Sequence, residues 1–460
     1  MISLTLTTLA RVLGIESETL AETTFSGVTI DSRKDCDGKL FVAIKGDNFD
    51  GHQFVDRAFD NGAVIALVET RLDCDIVQLV VEDCKLAMGR LANYWRHQCN
   101  PCVIALTGSN GKTTVKEMLH QVLARKAPTL ATRGNFNNDI GLPLTLFELD
   151  PADKFAVIEM GANHRGEIAR LAEIAEPDVV YVNNVAAAHL AGFGSIQGVI
   201  EAKGELYAYC GPEQKALFNV DEVASLYWQD HCAAGTQLSC ALNKPADVGA
   251  NWSENEESIT VEISYNGDQQ ACRLAIIGEH NVHNALATVS LALLVGIDLA
   301  AAVTGLEGFS GVKGRLQILS GPARSRIIDD SYNANPDSLE AGIKVLCSLQ
   351  GSPWLALGDM AELGADAAEL HREAARSAQR QGVEKMFGVG EMSCLASDEF
   401  GAAGSCHEDI DDMAETILSQ IRQDVNLLVK GSRSAGMERL VERLIFARHG
   451  ANPPGDTNAV

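Results

Sequence analysis

Val103-Ile104-Ala105-Leu106, running into Thr107-Gly108-Ser109-Asn110-Gly111-Lys112-Thr113-Thr114, is the stretch on which the fold turns. The apolar, β-branched run predicts a strand, and Val115, Met118, Leu119, Val122 and Leu123 then fall on one face of a helix. A glycine-bearing turn between such a strand and an amphipathic helix is the setting of a phosphate-binding loop. Glycines let backbone N–H groups approach phosphate oxygens, and the helix N-terminus adds partial positive charge. In that setting Lys112 is placed to reach the β- and γ-phosphates, and Thr113 to offer its hydroxyl to Mg²⁺. The usual pattern is incomplete, because Leu106 stands where its first glycine would be.

Outward from this loop, the next strands carry polar residues to the same sheet edge. Phe155–Ile158 ends in Glu159-Met160-Gly161, and Val179–Val182 ends in Asn183-Asn184, with His189 further on. Ligands of open α/β sheets sit at the carboxyl ends of strands. Glu159 is therefore a candidate Mg²⁺ ligand, since hard cations take carboxylate oxygen. Lys203, in Ile200-Glu201-Ala202-Lys203-Gly204-Glu205-Leu206, reads as an ordinary helix-surface lysine. The histidines form no HxxxH or HExxH pair, so no catalytic zinc is expected.

Short apolar runs alternate with helical patterns along most of the chain, which predicts α/β layers around parallel sheets. At roughly 150 residues per domain the length suggests about three, and changes of character divide the chain into 1–82, 83–313 and 314–460. In the middle segment Asn266-Gly267 predicts a hairpin that sets Tyr265 opposite Asp268, Val261 opposite Cys272 and Ile259 opposite Leu274. A helix from Asn281 is expected to end at Gly296. In the last segment strands are expected at Ile327-Ile328, Trp354–Leu357, Met386–Val389 and Leu427–Val429, making a second doubly wound sheet. Three polar loops follow these strands: Asp329-Asp330-Ser331-Tyr332-Asn333-Ala334-Asn335-Pro336-Asp337, Gly358-Asp359-Met360 and Lys430-Gly431-Ser432-Arg433. Together they suggest a site facing the central domain.

Composition removes several classes of function. Sixty-two acidic against 37 basic residues give a net charge of −25, a field that repels phosphate backbones, so no nucleic-acid partner is expected. No run approaches the ~18–20 apolar residues that span a bilayer. The start, Met1-Ile2-Ser3-Leu4-Thr5, lacks the basic and apolar regions of a secretory signal. The 12 cysteines are scattered, and Cys99-Asn100-Pro101-Cys102 opens a strand with no second pair to complete a zinc site. The expectation is a cytoplasmic, reduced and monomeric protein with plain core thiols.

In this order, and with Asp-Asp-Ser-Tyr-Asn-Ala-Asn-Pro-Asp-Ser from Asp329 and Gly-Asp-Met-Ala-Glu-Leu-Gly from Gly358, the motifs resemble the ATP-dependent Mur ligases of peptidoglycan synthesis over nearly the whole chain. The likeness is greatest to the branch that joins D-alanyl-D-alanine to UDP-N-acetylmuramoyl-tripeptide. It implies a three-domain architecture, with a central phosphate-loop sheet and a C-terminal Rossmann-like domain that closes over ATP. Asp31-Ser32-Arg33, Gly46-Asp47-Asn48 and Asp50-Gly51-His52 look like the first domain's hold on the uridine diphosphate, with Ser32, Arg33, Asp47 and Asn48 as substrate residues. Gly134-Asn135-Phe136-Asn137-Asn138-Asp139-Ile140-Gly141 resembles the stretch lining the reacting carboxylate, through Asn137 and Asn138. The resemblance makes Glu159 and His189 metal-site residues, and Lys203 the lysine whose carbamate acts as a carboxylate-like ligand to Mg²⁺, of which two ions are implied. Gly108 to Thr114, Asn281, Asn284, Arg315 and Asp330 would contact ATP, Asp330 on the ribose side. Lys112, Lys203 and His189 would be catalytic. Several family members have His before the arginine, where Gly314 stands here, so no role for that histidine carries over.

The implied chemistry activates a peptide carboxylate as an acyl phosphate, which an amine then displaces. Two other readings stay open: another amide ligase of this architecture, such as a folylpolyglutamate synthase or a Mur ligase adding one amino acid, and a nucleotide-binding module without turnover.

Overall fold

Nine strands form the central sheet of the computed structural model, which describes residues 1–15, 23–46, 49–186 and 190–448. Across the sheet they run Asp268–Leu274, Ile259–Tyr265, Val248–Glu254, Thr236–Ala241, Lys215–Asn219, Val179–Val182, Cys102–Thr107, Phe155–Glu159 and Thr129–Ala131. The strands from Val248–Glu254 to Thr129–Ala131 are parallel, and beyond Val248–Glu254 the two remaining pairings are antiparallel. Cys102–Thr107 therefore lies between Val179–Val182 and Phe155–Glu159, so the loop after it opens between their carboxyl ends. The hairpin pairs Tyr265 with Asp268, Val261 with Cys272 and Ile259 with Leu274, the register that the Asn266-Gly267 turn imposes.

The helix after the loop is Lys112–Ala124, and Val115, Met118, Leu119, Val122 and Leu123 are all buried on its inner face. It packs beneath Glu279–Leu294 and Leu299–Leu306, where a Cβ on Gly305 would lie 3.0 Å from Val122 Cγ2. The helix expected from Asn281 begins at Glu279 and its regular turns end at Leu294, with Gly296 just beyond in a left-handed conformation.

The first segment builds a four-stranded parallel sheet, Val28–Thr29, Leu40–Val42, Ile65–Val68 and Val77–Val80. Its packing continues past residue 82: Leu6, Leu9, Leu40 and Leu67 share one apolar core with Leu91 of helix Cys84–Cys99 and with Leu146. The last segment is a six-stranded sheet, Gln317–Ser320, Arg326–Asp330, Val425–Lys430, Ser352–Gly358, Lys385–Val389 and Gly404–His407, parallel apart from its first edge strand. All four strands expected there are present, and apolar clusters cover both faces.

Two expectations need correction. Cys394 and Cys406 are joined by a disulfide, so the thiols are not uniformly reduced, although the other ten cysteines are free. Glycine makes this possible: a Cβ on Gly404 would sit 2.0 Å from the Ser397 carbonyl, so helix Glu391–Phe400 lies against the edge strand and the two Cα atoms are 4.8 Å apart. Lys203 is not a surface residue. It is 2 % exposed, because its helix Ile196–Ala208 turns that face inward beneath the sheet edge. Among the described residues no helix is long and apolar enough to cross a membrane.

Candidate active site

A cavity of about 1030 Å³ opens over the carboxyl ends of the central strands and is closed on its far side by the last segment. The loop after Cys102–Thr107 forms its floor. Gly108 and Gly111 have φ of +150° and +76°, and a Cβ on Gly111 would meet Asn183 Nδ2 at 2.5 Å and Asn284 Oδ1 at 2.6 Å. Only glycine fits there, because Asn183 and Asn184 strap the loop down. Asn183 Nδ2 donates to the Asn110 carbonyl at 2.8 Å, the Asn110 N–H donates to Asn184 Oδ1 at 2.8 Å, and the Ser109 N–H donates to the Asn184 carbonyl at 3.0 Å. The loop is thus preformed, with Lys112 Nζ folded back on the Gly108 carbonyl at 2.6 Å. Burial pushes the Lys112 amine below its usual range; the Glu159 carboxylate opposes that shift and the Arg315 cation adds to it.

Glu159 ends its strand 2 % exposed, yet both carboxylate oxygens are engaged. Thr113 donates its hydroxyl to Oε2 at 3.0 Å, and Asn137 Nδ2 donates to Oε1 at 2.8 Å. Asn137 therefore holds the candidate metal carboxylate directly, whereas Asn138 is exposed and its Oδ1 accepts from the Gly141 N–H at 2.8 Å, at the start of helix Gly141–Leu146. Lys203 lines the same cavity, 5.8 Å from the centroid of the Phe193 ring. Burial, and the nearby Lys112 charge, hold its amine well below the ordinary lysine range. No described carboxylate forms an ion pair with it. Among the described residues no group of three His, Cys, Asp or Glu side chains is gathered to hold a metal. His189 lies outside the described residues, as do Asp47 and Asn48.

Asn281 and Asn284 belong to this site: Asn284 Nδ2 donates to Asn281 Oδ1 at 3.2 Å, and Asn284 Oδ1 accepts from Asn183 at 3.2 Å. From the last segment, Arg315 stacks 4.1 Å over the Tyr332 ring and reaches Thr113 Oγ1 at 3.4 Å. Arg315 Nε and Thr107 Oγ1 are buried there without a hydrogen-bond partner among the described residues. Asp330 is 7 % exposed; its Oδ2 is bound to Lys430 Nζ, and its Oδ1 accepts from the Leu316 N–H at 3.2 Å. Burial raises the Asp330 carboxyl and lowers the Lys430 amine, and each is opposed by its partner's charge.

Ser32 and Arg33 are not part of this cavity. Ser32 is buried, and its carbonyl accepts from Asn61 Nδ2 at 2.6 Å. Arg33 is exposed and forks onto Asp31 at 2.9 and 3.1 Å, holding that carboxyl down at about 2. In an Arg33→Ala variant the Asp31 carboxyl should move up toward 3.8, read by NMR titration; no movement would show that the guanidinium is not its partner.

Lys430 was quoted at the head of a polar strand-end loop, but its pairing with Asp330 is what sequence reasoning missed. The signal was there: a lysine ends an otherwise apolar strand, Val425–Lys430, where a charge is costly unless paired. Tyr332 and Asn335 lay within a quoted loop, but nothing in the order of residues aimed them at the phosphate loop.

A preformed phosphate loop with a strand-end carboxylate at its threonine, covered by a second, mostly parallel sheet, has the form of a nucleotide-phosphate site between two domains. Residues 24–105 match the Mur ligase family catalytic domain, 106–292 the Mur ligase middle domain, and 314–433 the Mur ligase, glutamate ligase domain. The chain belongs to the Mur ligase family. It is 39% identical over 460 residues to UDP-N-acetylmuramoyl-tripeptide--D-alanyl-D-alanine ligase of Escherichia coli (strain K12), covering 96% of this chain and 99% of that protein. The similarly named protein of Bacillus subtilis (strain 168) is 31% identical, over 92% of this chain and 94% of its own. A crystal structure of MurF from Acinetobacter baumannii superposes with a TM-score of 0.90 at 35% identity, covering 96% of this chain and 99% of that one. MurF ligase from Thermotoga maritima in complex with ADP gives 0.83 at 26% identity, covering 92% and 98%.

Proposed function

We propose that this chain is an ATP-dependent ligase that joins D-alanyl-D-alanine to UDP-N-acetylmuramoyl-tripeptide, yielding UDP-N-acetylmuramoyl-pentapeptide, ADP and phosphate for peptidoglycan synthesis. The observation that carries the reading is the contact of Thr113 with Glu159 beside the glycine cradle, with buried Lys203 lining the same cavity. In this reading residues 1–82 hold the uridine diphosphate end. Residues 83–313 bind ATP, and 314–460 close over it and take the dipeptide. Ten free thiols support a cytoplasmic setting, with Cys394–Cys406 as the exception.

The residues fit the groups the reaction needs. The backbone of Gly108 to Thr114 and the Lys112 ammonium take the phosphates, Asn281 and Asn284 lie toward the base, and Asp330 lies toward the ribose. Arg315, with its unpartnered Nε, closes from above. Thr113, Glu159, His189 and Lys203 are the metal residues. Lys203 serves once CO₂ has added to its neutral amine, forming a C–N bond and releasing a proton. The carbamate would also turn the repulsion between Lys203 and Lys112 into attraction. Two Mg²⁺ ions, when bound, supply charge neutralisation among the converging phosphates and carboxylate.

The tripeptide carboxylate attacks the γ-phosphorus: an O–P bond forms, the β–γ bridge breaks and ADP leaves. The dipeptide amine then attacks the acyl carbon, and the C–O bond to phosphate breaks as the ammonium proton is lost. The chain's share in the first step is positioning and charge, because several anions must meet. Asn137, by holding Glu159, fixes the wall beside the carboxylate. Closure by the last segment keeps water from the acyl phosphate.

Phosphate release is the direct test. It should require ATP, the UDP-muramoyl tripeptide and D-alanyl-D-alanine together, and should not be supported by D-glutamate or a diamino acid. Turnover with a single amino acid in place of the dipeptide would transfer the chain to another branch of the family. ATP binding without turnover on any peptide would make it a nucleotide-binding module.

A further inference from the structure

The phosphate loop is bridged to the last segment by one side-chain amide that no step above uses. Asn335 Nδ2 donates to Asn110 Oδ1 at 2.9 Å, across 225 residues of sequence. Asn110 has little freedom to do otherwise. Its N–H is bound by Asn184, and its carbonyl accepts from both Asn183 at 2.8 Å and Asn184 at 3.1 Å, so only its side chain is left to face outward. Asn335 is equally fixed. It N-caps helix Pro336–Ser348 in a capping box, its Oδ1 accepting from the Ser338 N–H at 2.9 Å while its own N–H donates to Ser338 Oγ at 3.1 Å. The cap spends the oxygen of the amide and leaves the NH₂ group aimed at the loop.

We infer that Asn335 is a positioning residue that registers the last segment against the phosphate loop, so that Arg315 and Asp330 arrive over the nucleotide in the right place. Arg315 precedes the edge strand Gln317–Ser320, which pairs with Arg326–Asp330, while Tyr332 and Asn335 follow the latter by two and five residues, so one paired unit carries all three. The Asn335–Asn110 bond and the Arg315–Thr113 contact are two points of attachment between that unit and the loop. Two points fix an orientation that either one alone would leave free to rotate. The inference rests on the ligase reading above for its kinetic consequence, but not for its conformational one.

The test separates the bridge from the cap. Asn335→Ser keeps the cap, since serine is as good an N-cap as asparagine. Its hydroxyl is spent on the Ser338 N–H and is too short to reach Asn110, so the bridge alone is lost. Asn335→Ala removes both. Asn335→Ser should melt within about a degree or two of wild type, while kcat falls and the KM for ATP rises, together lowering kcat/KM by roughly tenfold, the scale of one lost hydrogen bond. Small-angle scattering of the nucleotide-free protein should show a more extended Asn335→Ser than wild type. Wild-type kinetics and scattering for Asn335→Ser, with only Asn335→Ala impaired, would overturn the inference and leave Asn335 a helix cap. Should wild type itself fail to release phosphate, the ligase reading falls instead, and the scattering comparison still decides the bridge.

Discussion

Lys112→Ala should lose phosphate release by about a thousandfold or more, the scale at which removing a preorganised charge acts on a transition state, while the melting temperature barely moves. The first half follows from geometry. Among the described residues, Lys112 is the cation of the phosphate loop itself, and its Nζ rests on the Gly108 carbonyl rather than in a salt bridge, so it is free to turn to an incoming phosphate. The second half follows from energetics. The amine is already pushed down by burial, and its removal deletes a desolvated charge rather than a structural pair. Val115, Met118 and Leu119 hold the helix without it. Phosphate release at the wild-type rate by this variant would contradict the phosphate-loop assignment, and calorimetry with Mg²⁺–ATP on the same protein would show whether nucleotide still binds.

Lys203→Ala should be nearly inactive and should recover part of its activity when small carboxylates such as formate or acetate are added. A fully buried lysine with no described carboxylate to pair with it is expensive to keep charged, which favours the neutral amine that CO₂ requires. Removing the side chain leaves a space beside Glu159 and Lys112 in which a free carboxylate can stand where the carbamate oxygens would be. Wild-type activity should in turn fall in CO₂-depleted buffer and return with bicarbonate, and mass spectrometry of gently handled protein should find the mass of one added CO₂. An active Lys203→Ala would return this residue to a packing role. Inactivity that no carboxylate relieves would keep the lysine essential but remove the carbamate.

Much of the fold was legible because the periodicities were unambiguous. The Asn266-Gly267 turn set the hairpin register residue by residue, and the apolar face from Val115 to Leu123 placed the first helix of the central sheet. Glu159 and Asn183 were legible as strand-end residues, since parallel strands deliver their last residues to one edge. Lys203 was not. On a helix flanked by Glu201 and Glu205 it reads as solvent-facing, and only the packing of Phe193 and the strand ends around that helix buries it. The Cys394–Cys406 bond was equally illegible, because it depends on how closely a helix lies against an edge strand, which Gly404 decides in three dimensions.

The order of residues by itself determined the phosphate loop, the hairpin and the α/β layering, because each is written in local spacing: glycines before a lysine, apolar runs of strand length, one turn dipeptide; the class of chemistry came from the resemblance of its motifs to a family. Tertiary structure alone decided which polar groups became partners. Asn137 turned to Glu159, Lys430 to Asp330 and Asn335 to Asn110, over separations of 22, 100 and 225 residues. Such pairings carry no local signature, since a polar side chain in a loop, at a helix cap or at a strand end satisfies itself with whatever the packing of distant segments brings within reach.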